Sequence, residues 1–152
     1  MDKKIVVLVH PGLPYRKTIK YGCERAREIS AKLTLLAIIP EMNETERMSL
    51  AAHELAPYDV ISRNLETEAV DFLDRAVQYC LDSNMTVETL VERGSLEDVI
   101  KRTARNTNIK LIVMPTATQK KHHSSFLHAI SHFAHNMLDH ELSCPVVTVV
   151  AT

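Results

Sequence analysis

Residues Gly94 to Met114 read Gly-Ser-Leu-Glu-Asp-Val-Ile-Lys-Arg-Thr-Ala-Arg-Asn-Thr-Asn-Ile-Lys-Leu-Ile-Val-Met. Gly94-Ser95 opens a helix, with Ser95 as its N-cap and Asp98 at the position that closes a capping box. Ile100 and Ala104 face inward, and the segment ends in the apolar run Leu111–Met114. Such a run, made of aliphatic residues without polar alternation, fits a strand covered on both faces, as in a parallel sheet.

The same kind of run recurs on either side, at Ile5–Val9, Leu33–Ile39 and Val146–Val150. Met85–Glu92 mixes polar with apolar residues and reads as a less buried strand near the sheet edge. Helical periods fill the gaps. Ile19, Cys23, Ala26 and Ile29 stripe the segment Arg16–Lys32, while Leu65, Ala69, Phe72, Ala76 and Cys80 stripe a longer helix ending near Ser83. Phe126, Ile130, Phe133 and Met137 mark a last helix, and Pro57 divides a short helix from the long one. Strands alternating with helices predict one α/β domain over residues 1–152. Its five-stranded parallel sheet is doubly wound, with helices on both faces. Ligands in such sheets bind beyond the carboxyl ends of the strands. That edge receives the loops His10–Tyr15, Pro40–Asn43, Glu92–Ser95 and Pro115–Ser125.

Composition narrows the functions. The 152 residues suit a single core-forming domain. A formal charge of −1 argues against a bulk nucleic-acid binder, whose affinity comes from clustered positive charge. Three glycines leave little material for a phosphate-cradling loop. Cys23, Cys80 and Cys144 form no Cys-x-x-Cys, so neither a zinc knuckle nor a thioredoxin-type pair is written here. All three read as small packing residues. The five apolar residues after Met1-Asp2-Lys3-Lys4 are too few for a signal peptide or a membrane span. A cytoplasmic protein without membrane contact is expected.

The chain resembles the universal stress protein family, which has a Rossmann-like fold. Lys4-Ile5-Val6-Val7-Leu8-Val9 is similar to that family's first strand, and Gly94–Met114 to its third helix and fourth strand. The passage from Leu138 to Cys144-Pro145-Val146-Val147-Thr148-Val149-Val150 is similar to its last helix and strand. The resemblance implies the strand order 3-2-1-4-5 and a homodimer pairing through Val146–Val150. It also implies a nucleotide motif, Gly-x-x-Gly followed about nine residues later by Gly-Ser or Gly-Thr, that some members use to bind ATP. Here Pro115 and Thr118 fall on the first two glycine positions, and Ser131-His132 near the last pair. His10 replaces the family's acidic residue after the first strand, and Pro11-Gly12 follows it.

Those replacements have physical consequences. Pro115 has no N–H to offer a phosphate and its φ is fixed, while Thr118 and Ser131 bring a Cβ into a close backbone approach. The expectation is a non-enzymatic stress-response protein that engages an unnamed protein partner and does not hold ATP firmly. Nothing in the sequence supplies an acid–base pair or Mg²⁺-ligating motif, leaving weak ATP hydrolysis as the residual enzymatic reading. One alternative is an adenine-nucleotide site, for ATP or AMP, in an altered cleft. Its candidate residues are His10, Gly12, Ile38, Pro115, Thr116, Thr118, Lys120, Ser131 and His132. The other is a metal-responsive module. Six of the eight histidines lie between His122 and His140. On a helical wheel His128, His132, His135 and Asp139 share one face, at spacings that suit Zn²⁺, Ni²⁺ or Cu²⁺. The competing reading is a solvent face that happens to use histidine.

Overall fold

The computed structural model describes residues 2–11, 13–39, 58–116, 130, 133 and 144–150, with side chains in the second helix from Leu65 onward. Among the described residues there are five strands: β1 (Lys4–Val9), β2 (Lys32–Ile39), β3 (Val87–Arg93), β4 (Ile109–Thr116) and β5 (Val146–Val150). The helices whose bounds lie among those residues are α1 (Arg16–Ile29), α2 (Tyr58–Asp82) and α3 (Leu96–Ala104). The strands form one parallel sheet in the order β3-β2-β1-β4-β5, as the resemblance implies.

The aliphatic runs end up covered on both faces. In β2 every residue from Leu33 to Ile39 is buried, and in β1 every residue from Ile5 to Val9. Alternate residues go to opposite layers. Ile5, Val7 and Val9 pack with the stripes of α1 and α2; Val6 and Leu8 pack with Leu96, Val99 and Ile100 of α3. Ile130 and Phe133, from the predicted last stripe, are helical and buried in that second layer. β3 has the partly exposed pattern of an edge strand, with Glu88, Thr89, Leu90 and Val91 all open to solvent.

Element ends differ from the sequence reading in instructive ways. α1 stops at Ile29 because Ser30 turns left-handed, at φ 54° and ψ 45°, and Ala31 N–H reaches back to Ala26 O at 2.8 Å. Lys32 therefore starts β2, paired with Lys4, and does not extend the helix. β3 runs Val87–Arg93 instead of beginning at Met85, whose N–H bonds Cys80 O at the end of α2. β4 runs past its apolar stretch to Thr116, held by pairing with β5 as far as Val150. α2 begins at Tyr58, directly after the dividing Pro57; the short helix expected before it lies outside the described residues. Among the described residues no helix is long and apolar enough to cross a membrane.

Candidate functional site

The carboxyl edge of the sheet is where the sequence places the site, and the register shows how an opening arises there. β1 and β4 are neighbours, and their paired register ends at Val7 and Val113. β1 remains paired with β2 to Val9, and β4 with β5 to Thr116. Past Val7 and Val113 the sheet thus divides, with Leu8 to His10 on one side and Met114 to Thr116 on the other. This is also where the strand order reverses, the crevice in which doubly wound sheets bind ligands.

His10 follows β1 directly, and Leu13 N–H closes a turn onto its carbonyl at 3.1 Å. The turn carries the chain to Tyr15, whose ring meets Phe72 edge-on at 5.4 Å and Tyr79 at 5.8 Å. These contacts fix the start of α1 against α2. Burial drives the His10 imidazole down to about 4, so the ring is neutral at pH 7. It can give and take hydrogen bonds there but brings no positive charge to an anion.

Pro115 and Thr116 form the other lip. Pro115 is buried and lies two residues past the last pair with β1; Thr116 is half-buried. A proline inside a sheet forfeits a ladder hydrogen bond. For a phosphate approaching this backbone, Pro115 likewise offers no N–H. That part of the edge does not fit a glycine-type phosphate cradle. Ile38 sits near the top of β2, 5% exposed, paired with Glu92 and packed in the α3 layer.

The third contributor is the β3–α3 turn. Gly94 takes φ 140°, a value that L side chains rarely adopt, and its N–H bonds Ile39 O at 3.1 Å. Ser95 Oγ then accepts from Asp98 N–H at 3.2 Å, giving α3 its predicted cap. The two helix starts at this edge differ in charge. α3 carries Glu97 and Asp98 in its first turn, offsetting its positive end; α1 has no acid in its first turn and opens on Arg16 and Lys17. Arg16 lies over the Tyr79 ring, 5.7 Å from its centre.

The structure therefore places His10 just past β1 and Pro115 and Thr116 at the end of β4, the two strands whose pairing stops short of this edge, with Ile38 near the top of β2 in the α3 layer. Gly12, Thr118, Lys120, Ser131 and His132 lie outside the described residues, as do His128, His135 and Asp139 of the candidate metal face. Among the described residues no group of three His, Cys, Asp or Glu is placed to hold a metal ion. Sequence reasoning did not single out Arg16, Lys17 or the aromatic contacts of Tyr15. The missing acidic residue in the first turn of α1 was the available signal.

The sequence model of the Universal stress protein family matches residues 1–149. No curated protein matches the chain. Among solved structures it is similar to a universal stress protein from Lactobacillus plantarum, at 18% identity and TM-score 0.69 over 97% of both chains. A universal stress protein from Archaeoglobus fulgidus in complex with dAMP matches at 14% identity and TM-score 0.60, over 97% of both chains. A universal stress protein family protein from Arabidopsis thaliana with AMP bound matches at 16% identity and TM-score 0.59, over 99% of this chain and 92% of that one. At such identities the structural likeness is one of fold.

Proposed function

The chain belongs to the universal stress protein family, and from that premise we propose that it is a non-enzymatic, cytoplasmic interaction protein of the stress response that holds ATP weakly at most. One observation carries the reading. Pro115 is buried at the β4 lip, where the family resemblance puts the first glycine of the nucleotide motif. A backbone without an N–H and with fixed φ cannot wrap a phosphate as glycine does. His10 on the facing lip is neutral, so its ring brings no charge to compensate for the lost donor.

The working unit in this proposal is a homodimer joined through β5. That strand ends the sheet, carries no charged residue from Val146 to Val150, and leaves Val150 41% exposed. An uncharged, β-branched edge is one that proteins ordinarily cover. Sedimentation of the purified protein at micromolar concentration should give one species of twice the chain mass, and a monomer would defeat this part of the proposal.

A second reading has support of its own. The AMP- and dAMP-bound relatives share this fold, and α1 opens on Arg16 and Lys17 with no opposing acid in its first turn. An adenine nucleotide could then sit in the crevice with its phosphates toward α1. Calorimetric titration with ATP and AMP separates the two readings. The first expects Kd values weaker than about 100 μM, and at least a tenfold gain, about 1.4 kcal/mol, in the Pro115→Gly/Thr118→Gly/Ser131→Gly variant. Tighter binding by the unaltered chain, lost on Thr118→Tyr, would establish the second.

A further inference from the structure

The amino edge of the sheet, opposite the crevice, holds a pocket of about 430 Å³. Small-molecule sites span roughly 300–1,000 Å³, so the space suits a small ligand. On the sheet side it is lined by Ile5, Leu111 and Val147, near the starts of β1, β4 and β5. On the helix side it is lined by Tyr21, Arg25 and Ile29, which at a spacing of four form one line along α1. Lys3 and Lys110 stand beside them.

A break in register builds part of this pocket. Lys4 pairs with Ile109 and Ile5 with Leu111, which leaves Lys110 as an extra residue on β4. In an unbroken strand Ile109 and Leu111 would share a face. Here Ile109 packs in the α3 layer and Leu111 in the layer of α1 and α2. The bulge thus turns Leu111 toward α1 and leaves Lys110 exposed at the pocket. Bulges are uncommon between parallel strands, and they re-aim side chains beside functional sites.

The charges at the pocket have one sign. Lys3, Arg25 and Lys110 contribute to it, and its described lining includes no Asp or Glu. Two acids lie near and are already paired: Asp2 with Lys32 at 3.2 Å, and Glu28 with Arg25 at 2.6 Å. The second pair is half-exposed, where such a contact is weak and Arg25 can exchange it for another carboxylate. Lys110 Nζ donates to Thr107 O at 3.0 Å and keeps two further N–H groups. α1 ends beside the pocket, and a helix C-terminus carries a partial charge of roughly −0.5. Its Ala26 and Arg27 carbonyls accept from the N–H groups of Ala31 and Ser30, and the side-chain cations outweigh the rest.

We propose that this pocket binds an organic monoanion, one carboxylate carried on an apolar body such as a medium-chain hydrocarbon. The body lies between the α1 line and Ile5, Leu111 and Val147, while the carboxylate meets Lys3, Lys110 and Arg25. A bare anion would stay hydrated among exposed lysines, and a neutral hydrocarbon would gain nothing from them. Only a molecule with both parts uses the apolar lining and the cations together. The site lies at the far end of the strands from His10 and Pro115, so it stands apart from the nucleotide question.

The test titrates the full chain with octanoate and follows side-chain methyl signals by NMR. Methyls of Ile5, Ile29, Leu111 and Val147 should shift together and saturate as a single site with Kd below about 1 mM, while Ile100 and Ile112 in the other layer stay still. Acetate and octan-1-ol should each bind at least about tenfold more weakly. Lys3→Gln/Lys110→Gln, at two exposed positions, should weaken octanoate about tenfold and leave octan-1-ol unchanged. Octan-1-ol or acetate binding as tightly as octanoate, shifts that never saturate, or no shift at these methyls would overturn the proposal. Displacement of octanoate by AMP would overturn it too, because it would put the anion in the crevice. Where the double variant does not fold, the contrast between octanoate and octan-1-ol on the unaltered chain decides alone.

Discussion

Strands β3 and β4 both deliver the chain to the carboxyl edge of the sheet, and they leave it by opposite chemistry. β3 exits through Gly94, at φ 140°, whose N–H ties back to Ile39 O; Ser95 then caps α3. β4 instead carries Pro115, which has no N–H, in its last two residues, two past its last pair with β1. The first exit keeps a conformation that only glycine reaches easily and uses it to join β2, β3 and α3. The second has a fixed φ in place of such freedom. In the proposed reading, a Rossmann-like fold keeps the glycine that its architecture needs while a proline stands where a phosphate would want one. Structural and ligand-binding glycines at one edge are under separate physical demands.

The largest effect expected from breaking this contrast is on stability at the β3 exit. Gly94→Ala forces a Cβ into a conformation that costs about 2–3 kcal/mol. Thermal unfolding should shift down by about 5–10 °C for a chain of this size. Pro115→Ala, at the other exit, should stay within about 1 kcal/mol, since it relaxes a constraint without requiring a forbidden φ. Equal losses from the two variants would mean that the exits are not built differently.

His10 sharpens the contrast from the facing lip. Its folded value of about 4 lies below the ordinary histidine value of 6.5, so the folded state prefers the neutral ring. That preference contributes stability in full above pH 6.5 and loses it as the pH falls toward 4. Between pH 7.5 and pH 5 the loss from this one group is about 2 kcal/mol. Urea unfolding at the two pH values should show the wild type falling further than His10→Gln by that margin. Parallel losses would show that the crevice does not hold His10 neutral.

Much of the fold could be read from the chain because covered parallel strands have an unmistakable composition. Leu33–Ile39 is buried throughout, and the polar residues of β3 identified it as an edge. Strand ends were less legible. Counting apolar residues stops at Met114, whereas pairing with β5 carries β4 on to Thr116 whatever its side chains. Gly22 was visible as a glycine inside a helix, but not the reason for it. A Cβ there would overlap Val7 Cγ2, so the glycine lets α1 lie close on β1. At the site, His10 and Pro115 could be placed from the order of elements alone. The parting of β1 from β4 could not, because it is a relation between two registers.

The smallest effect concerns the second half of the β3 exit, and it tests whether Gly94 and Ser95 act separately. Ser95→Ala removes only the side-chain oxygen that accepts from Asp98 N–H and leaves the backbone turn intact. The expected loss is about 1 kcal/mol, the usual value of an N-cap hydroxyl. It should appear as a lower urea midpoint with unchanged slope. Glu97 and Asp98 remain in the first turn to meet the positive end of α3, so the helix itself should persist. The double variant with Gly94→Ala is the decisive measurement. If glycine only turns the chain and serine only caps the helix, the two losses add. If the cap can form only once the chain has turned through Gly94, the double variant loses little more than Gly94→Ala alone, and the two residues are one device.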